Sequence, residues 1–369
     1  MSWLFKKNTP YIKEHQHQLV KSHKYQGEEL SYSYNYFYSP VCTWISKCLP
    51  LWLAPNLISL AGFLFNLIPH LMVPLLFTHE LEYDLPSWFC YFMGIAFFLY
   101  MLCDNTDGKQ ARRTGSSSPL GMLIDHGMDS VTAVINTILI ITLLQIGSNF
   151  SSAFGMIAAT MPFYYAIIEQ YYTGELILPE INGIDDGSFL YMGMCFAGGY
   201  YGPRNLLINI YKKRNSERFK KLFRKELFIS HLLWYVINAV IFFTAAYTSP
   251  QNISVTHTKR VQYAFGFNFI LIALRIQYSG VTLEKFNPFR RTTLITWALL
   301  LSQIFFTFAY GQSLMHEPTL YLILDLIAFA ALLHIIYNLI MELTTILDIN
   351  LLTLTQKQIE LQATVTKRD

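Results

Sequence analysis

The chain has 369 residues, of which 53% are hydrophobic and only 14% are charged, and its formal net charge is +3. Soluble domains average about 25% charged residues, so this composition and a mean hydropathy of +0.32 exclude an ordinary soluble protein and indicate an integral membrane protein. The mild positive charge argues against a nucleic-acid partner.

The N-terminal region is polar and then aromatic. The first thirty residues contain no apolar core followed by a cleavage site, so we do not expect a secretory signal. Aromatic and polar residues alternate over residues 31–50, a pattern typical of the membrane–water interface. We therefore interpret residues 1–50 as a cytosolic and interfacial segment that includes one interfacial helix.

The rest of the chain contains apolar stretches of about 20 residues, the length that crosses a bilayer as a helix. Nine such spans are predicted near residues 56–78, 87–110, 119–147, 151–174, 184–203, 228–248, 261–282, 291–311 and 317–347.

Charge placement suggests one crossing more. Positive residues concentrate on the cytoplasmic side, and nine crossings would put the most basic stretch, Tyr211–Phe228, on the opposite side. A short or broken tenth helix around Gly202–Tyr211 corrects this, although a basic helix lying in the interface is an alternative. The predicted fold is thus all-α, a polytopic bundle of about ten transmembrane helices with both termini in the cytosol.

One stretch between two spans, Asp104–Ser130, is unusually acidic and reads "DNTDGKQARRTGSSSPLGMLIDHGMDS". Helical spacing places two sets of residues on one face of each of two antiparallel helix ends. The sets are Asp104, Asp107, Gly108 and Ala111 on the first helix, and Gly121, Asp125 and Asp129 on the second.

Four carboxylates at membrane depth each cost a few kcal/mol and repel one another. Either they take protons, as in a relay, or they bind hard divalent cations, which prefer oxygen ligands. The glycines leave room for a bulky ligand, and Lys109, Arg112 and Arg113 supply cations that a relay does not need. A phosphate held on metal ions with arginine support fits all of these features.

The spacing D-x2-D-G-x2-A-R-x8-G-x3-D-x3-D resembles the signature of the CDP-alcohol phosphotransferase family. The string "DGKQARRTGSSSPLG" resembles its eukaryotic choline/ethanolaminephosphotransferase branch. Two further segments resemble that branch, Pro50–Phe63 and Ile168–Gly187, and Asp186 stands where the family usually has glutamate. The resemblance covers residues 25–350 and implies catalytic helices in 51–210, further transmembrane helices in 211–348 and a cytosolic tail in 349–369.

The resemblance implies transfer of phosphoethanolamine, phosphocholine or both from the CDP-alcohol to diacylglycerol, with CMP leaving. Two Mg²⁺ or Mn²⁺ ions would be held by Asp104, Asp107, Asp125 and Asp129. Substrate-binding candidates are Asn56, Gly108, Lys109, Ala111, Arg112, Gly121, Glu169, Asn182 and Asp186. The base that takes the lipid hydroxyl proton is either His126, which titrates near neutrality, or Asp129.

The sequence does not decide whether the alcohol of the CDP-alcohol substrate is choline or ethanolamine. Choline favours an aromatic cage and ethanolamine favours carboxylates, and both kinds of residue occur near Glu169: Tyr164, Tyr165, Tyr171 and Tyr172. The expected setting is the endoplasmic reticulum or Golgi membrane, with a cytosolic active site and a homodimer. Alternatives are a related enzyme using inositol or glycerol phosphate, an aspartate-rich prenyltransferase and a transporter.

Overall fold

A computed structural model describes residues 10–23, 26–148, 150–180, 182–201, 227–282, 290–355 and residue 358. The helices of these regions, with the labels used below, are α1 His17–Ser22, α2 Ser39–Cys48, α3 Pro55–Met72, α4 Ser87–Thr114, α5 Pro119–Leu143, α6 Phe150–Thr173, α7 Asp185–Tyr201, α8 Leu227–Tyr247, α9 Ile253–Thr256, α10 Thr258–Thr282, α11 Arg291–Tyr310 and α12 Glu317–Leu347. Two strands, β1 Gln26–Glu29 and β2 Glu175–Leu178, form a parallel pair.

Seven of the described helices are long and apolar enough to cross a membrane, which confirms the all-α polytopic class. They are Pro55–Phe77, Ser87–Thr114, Pro119–Leu143, Phe150–Tyr171, Thr258–Thr282, Arg291–Tyr310 and Glu317–Leu347. Two other predicted spans correspond to α7, which has 17 residues, and to α8, in which Trp234–Tyr247 is a shorter apolar helix. The predicted crossing around Gly202–Tyr211 lies outside the described residues, so the count of ten stays a prediction.

The hairpin between α4 and α5 follows from local sequence. Gly115 ends α4 with φ of 64°, a left-handed conformation that costs glycine little. Ser118 precedes α5 and its hydroxyl oxygen accepts a hydrogen bond from the Gly121 amide at 3.1 Å, while Pro119 occupies the first turn. The acidic ends of the two helices are therefore joined by a short turn, and their carboxylates line one cavity.

Close helix contacts fix the geometry around this hairpin. Helix α3 packs on both α4 and α5, α7 packs on α4, and α10 packs on α5, α6 and α12. A Cβ atom on Gly62 would lie 2.7 Å from Cβ of Cys103, and one on Gly266 would lie 2.5 Å from Cγ1 of Val134. Glycine at these two positions allows α3 to approach α4 and α10 to approach α5.

The paired strands were not predicted, because pairing through the backbone of segments about 150 residues apart leaves no side-chain pattern in the sequence. Glu28 pairs with Ile177, and the Leu30 amide continues the pairing by donating to the Leu178 carbonyl at 2.9 Å. Residues 10–23 and 26–38 are called the N-terminal strap below, because they run across the end of the bundle where α4 ends and α5 begins. The strap then leads into α2, a helix with an exposed Trp44 within the predicted interfacial segment.

The start of the N-terminal strap is tied to the last transmembrane helix. The Glu342 carboxylate of α12 accepts from the Tyr11 amide at 2.8 Å and from the Ile12 amide at 2.7 Å. The Tyr11 hydroxyl bonds to His334 Nδ1 at 2.9 Å, and the Tyr278 hydroxyl donates to the Tyr11 carbonyl. The strap thus connects α10 and α12 to β2 and α7.

Candidate active site

A cavity of about 1190 Å³ opens at the end of the bundle where α4 ends and α5 begins. Its lining comes from α3, α4, α5 and α6, from the N-terminal strap, from residues 176–185 and from residues 349–358. The four predicted aspartates and His126 all line it. The α4–α5 hairpin lines one side of the cavity, and segments distant in sequence line the other sides.

The aspartates of α4 and α5 converge in this cavity. Asp104, Asp125 and Asp129 each offer one carboxylate oxygen, and these oxygens lie within 4.8 Å of one another. Asp107 is a hydrogen-bond neighbour of Asp125 and accepts a further bond from the Ser59 hydroxyl of α3. Because Asp107 is seven residues before the end of α4, it lies about 10 Å inside the helix terminus.

This donor set fits a divalent cation. Its oxygens are hard ligands of the kind that Mg²⁺ and Mn²⁺ prefer, and their crowding is unfavourable unless a cation or protons offset the charge. The Tyr100 hydroxyl donates to Asp129 Oδ1 at 2.8 Å and orients that carboxylate. Tyr100 and Ser59 were not predicted; Tyr100 could have been found four residues before Asp104 on α4, whereas no spacing indicates Ser59 on another helix.

His126 lies beside Asp129 and is buried in the cavity wall. It follows Asp125 directly on α5, so the two side chains point about 100° apart around the helix. The imidazole therefore flanks the carboxylate cluster, and its role as the base stays a prediction.

The three basic residues of α4 lie in different places. Arg112 lines the cavity beside Gly108, where a Cβ atom would lie 3.6 Å from the guanidinium. The Lys109 ammonium donates to Ser39 Oγ at 3.0 Å and lies 5.2 Å from the centre of the Tyr34 ring. Lys109 is outside the cavity lining, so its predicted phosphate contact stays a prediction.

Arg113 donates to backbone carbonyls of Ser46 and Leu49. Those carbonyls are at the end of α2, where a cation interacts favourably with the helix dipole. Arg113 thus holds α2 against the end of α4 and does not line the cavity.

Asn56 and Gly121 form one side of the cavity together with the C-terminal segment. A Cβ atom on Gly121 would lie 3.4 Å from Asn56 Oδ1, and Asn56 Nδ2 donates to the Leu351 carbonyl at 2.7 Å. Leu53 and Thr353 form an antiparallel bridge next to it. Ala111, also predicted, lines the cavity on the α4 side.

The predicted residues of the Ile168–Gly187 segment lie outside the cavity lining, and their substrate contacts stay predictions. Glu169 is exposed. Asn182 Oδ1 accepts from the Ile184 and Asp185 amides at 2.8 Å each and so begins α7. Asp186 accepts from Ser33 Oγ at 2.6 Å and thereby ties α7 to the N-terminal strap.

The cavity is lined instead by two acidic residues that were not predicted, Asp185 and Glu29. Asp185 is buried, with 3% of its surface exposed. Glu29 comes from β1 of the N-terminal strap, and its buried Oε2 atom accepts no hydrogen bond from the residues that the structure describes. Burial and the nearby Asp185 raise the pKa of Glu29 to about 7, against the opposing effect of Lys109 and Arg112.

The lining also has an apolar part, which α5 and α6 supply. Its residues are Met122, Phe163, Ala166 and Ile167. The cavity therefore combines a carboxylate cluster, a basic residue and an apolar surface next to membrane-spanning helices. Such a combination suits the reaction of a charged, water-soluble compound with a lipid.

Comparison with known proteins gives a family match over the part of the chain that contains α3 to α6. Residues 52–172 match the CDP-alcohol phosphatidyltransferase family. The chain is 38% identical to choline/ethanolaminephosphotransferase 2 of Arabidopsis thaliana over 51% of its length and 48% of the relative's. It is 33% identical to cholinephosphotransferase 1 of Saccharomyces cerevisiae over 51% of its length and 47% of the relative's.

A third relative matches over almost the whole chain. It is a CDP-alcohol phosphatidyltransferase class-I family protein of Dictyostelium discoideum, 27% identical over 92% of this chain and 97% of the relative. The plant and yeast alignments, in contrast, span about half the length of those relatives. The family match, residues 52–172, covers the helices that carry the four aspartates.

Proposed function

We propose that the chain transfers phosphoethanolamine or phosphocholine from a CDP-alcohol to diacylglycerol, because residues 52–172 match the CDP-alcohol phosphatidyltransferase family. The products are the phospholipid and CMP. The observation that carries the proposal is the convergence of the aspartates within 4.8 Å in a cavity that also has an apolar lining. Relatives named for this activity are 38% and 33% identical over about half of this chain.

We propose that Asp104, Asp107, Asp125 and Asp129 hold two Mg²⁺ or Mn²⁺ ions. When bound, such ions neutralise the diphosphate and offset the charge that develops on the leaving CMP. The arrangement of the carboxylates supports this assignment. Oxygens of Asp104, Asp125 and Asp129 lie within 4.8 Å of one another, and Asp107 is a hydrogen-bond neighbour of Asp125.

The residues around the aspartates would place the nucleotide. Gly108 and Ala111 leave the α4 surface open for cytidine, and Asn56 with Gly121 forms the adjacent side of the cavity. Arg112 is placed to donate to diphosphate oxygens, an interaction that is strong because both partners are charged. These contacts would hold the phosphorus in line with the lipid hydroxyl.

The lipid hydroxyl must lose a proton as its oxygen attacks the phosphorus. We propose that His126 accepts this proton at an imidazole nitrogen and that the neighbouring Asp129 stabilises the resulting cation. Asp129 itself is the second candidate for the base. The acyl chains would lie against the apolar lining from α5 and α6, which keeps water from the hydroxyl group.

The protein is a multi-pass membrane protein. We propose that it lies in the endoplasmic reticulum or Golgi membrane as a homodimer, with the cavity facing the cytosol. The positively charged Lys109, Arg112 and Arg113 at the cavity end of α4 support this orientation.

The test uses purified protein with diacylglycerol and either CDP-ethanolamine or CDP-choline, with and without Mg²⁺. Release of CMP with formation of the matching phospholipid is expected only with the metal. A second arm offers CDP-diacylglycerol with inositol or glycerol phosphate. Turnover in that arm alone would overturn the proposed acceptor, and no turnover in either arm would overturn the proposed reaction.

A further inference from the structure

A second group of charged residues lies in the cavity beyond the aspartates of α4 and α5. Glu29 of the N-terminal strap is an electrostatic neighbour of Asp185 at the start of α7 and of Lys109 and Arg112 on α4. It is also an electrostatic neighbour of Asp125. Glu29 therefore lies within interaction range of the carboxylate cluster and of a second buried acid at the same time.

The acceptor capacity of these two acids is only partly used. Glu29 Oε2 is buried and accepts no hydrogen bond in the described part of the chain. Asp185 Oδ2 accepts from Asn182 Nδ2 at 3.2 Å. A buried carboxylate oxygen without a donor is costly, so this position favours a ligand that brings N–H groups and positive charge.

The aromatic residues, in contrast, are poorly placed for a methylated cation. Among the described residues that line the cavity, Tyr34 and Phe163 are the only phenylalanine, tyrosine or tryptophan residues. The Tyr34 ring already interacts with the Lys109 ammonium, 5.2 Å from its centre. Tyr164, one of the tyrosines considered from sequence, is fully buried and packs on Tyr235 at a ring distance of 4.8 Å.

The two possible headgroups differ in what they offer such a site. Ethanolamine ends in a primary ammonium with three N–H donors, as a lysine side chain does, and satisfies carboxylate oxygens directly. Choline ends in a quaternary ammonium without donors and is recognised by several aromatic faces. The first fits a pair of acids with a free oxygen, and the second fits a cage of rings.

We infer that Glu29 and Asp185 form a headgroup subsite that binds the primary ammonium of CDP-ethanolamine and makes the protein prefer it over CDP-choline. The inference rests on the proposed function, since the headgroup is placed by a diphosphate at the aspartates. It assigns specificity to the N-terminal strap, which lies outside residues 52–172 of the family match.

The experiment compares kcat/KM for CDP-ethanolamine and CDP-choline at saturating diacylglycerol, in wild-type protein and in Glu29→Gln. A hydrogen bond to a charged group corresponds to a preference of about 10- to 100-fold, which is expected for CDP-ethanolamine in the wild type. Glu29→Gln should raise KM for CDP-ethanolamine about ten-fold and change KM for CDP-choline by less than about three-fold. Glu180→Gln, at an exposed acid just after β2, is the matched control and should keep the wild-type ratio.

Asp185→Asn is a second, independent variant in case Glu29→Gln does not fold. A fall in the ratio of the two kcat/KM values in either variant supports the subsite, because a general loss of structure would lower both values together. Equal use of the two substrates by the wild type, or equal losses in both variants, overturns the subsite but leaves the proposed reaction intact. A wild type that releases CMP from neither substrate overturns the proposed reaction itself.

Discussion

Replacing Asp125 with asparagine is expected to abolish turnover without unfolding the protein. The change keeps the shape of the side chain but removes one of three carboxylate oxygens that lie within 4.8 Å of one another. Loss of a group that merely orients a metal ligand costs 10- to 100-fold in affinity or activity, so loss of a ligand should lower kcat/KM by more than about 100-fold. The assay is CMP release over a Mg²⁺ titration.

Thermal unfolding provides a second quantitative test of Asp125→Asn, through the stability that Mg²⁺ binding adds. At Mg²⁺ concentrations of about 100 times Kd, binding to the folded wild type adds about 2.7 kcal/mol to its stability, and Asp125→Asn should lose most of this gain. In EDTA the variant should be at least as stable as the wild type, because one of several crowded negative charges is gone.

Asp325→Asn makes the same change on α12, at a half-buried aspartate near Arg260 and outside the cavity lining, and should keep activity. Activity within ten-fold of wild type in Asp125→Asn, or a marked loss of stability in EDTA, would refute the reasoning.

Three further predictions concern the proton, pH and packing. His126→Ala should lower kcat by about 10²- to 10⁴-fold in single-turnover measurements, and a near-normal rate would move the base role to Asp129. The kcat/KM for CDP-ethanolamine should rise as pH increases through about 7, because the Glu29 carboxyl becomes charged there. The rise near pH 7 should be missing from the pH profile of Glu29→Gln, and a rise that persists in this variant would contradict the role of Glu29 in the headgroup subsite. Gly266→Ala should destabilise the protein by about 1–3 kcal/mol in thermal unfolding, because its Cβ atom would clash with α5. Gly187→Ala is the control and should not destabilise the protein, because no atom lies within 4 Å of its Cβ position. Equal losses of stability in the two variants would contradict the close packing of α10 on α5.

The convergence of Asp104, Asp125 and Asp129 was predictable because it depends on two local rules. Helical periodicity sets which residues share a face, and the turn signals at Gly115 and Ser118 bring the two helix ends together. The seven apolar helices were predictable for a similar reason, since hydropathy over about 20 residues reflects the thickness of the bilayer.

The remaining walls of the cavity depend on contacts between distant parts of the chain. Glu29 reaches the site because β1 pairs with β2, about 150 residues later, through backbone hydrogen bonds that carry no side-chain signature. Asp185 rather than Asp186 lines the cavity because the first turn of α7 turns one carboxylate inward and the next towards Ser33. The sequence of two adjacent aspartates does not show which of the two side chains faces the cavity.

The attachment of Tyr11 to Glu342 and of Asn56 to Leu351 has a consequence for biosynthesis. A ribosome delivers α3 to α6 long before α12 and the residues beyond it, so the nascent chain carries all four aspartates in an unenclosed chamber. Insertion of the last helix would then complete the enclosure by binding the N-terminal strap through Glu342. If the cavity carries out the proposed reaction, competence to react would appear only after the last helix has inserted.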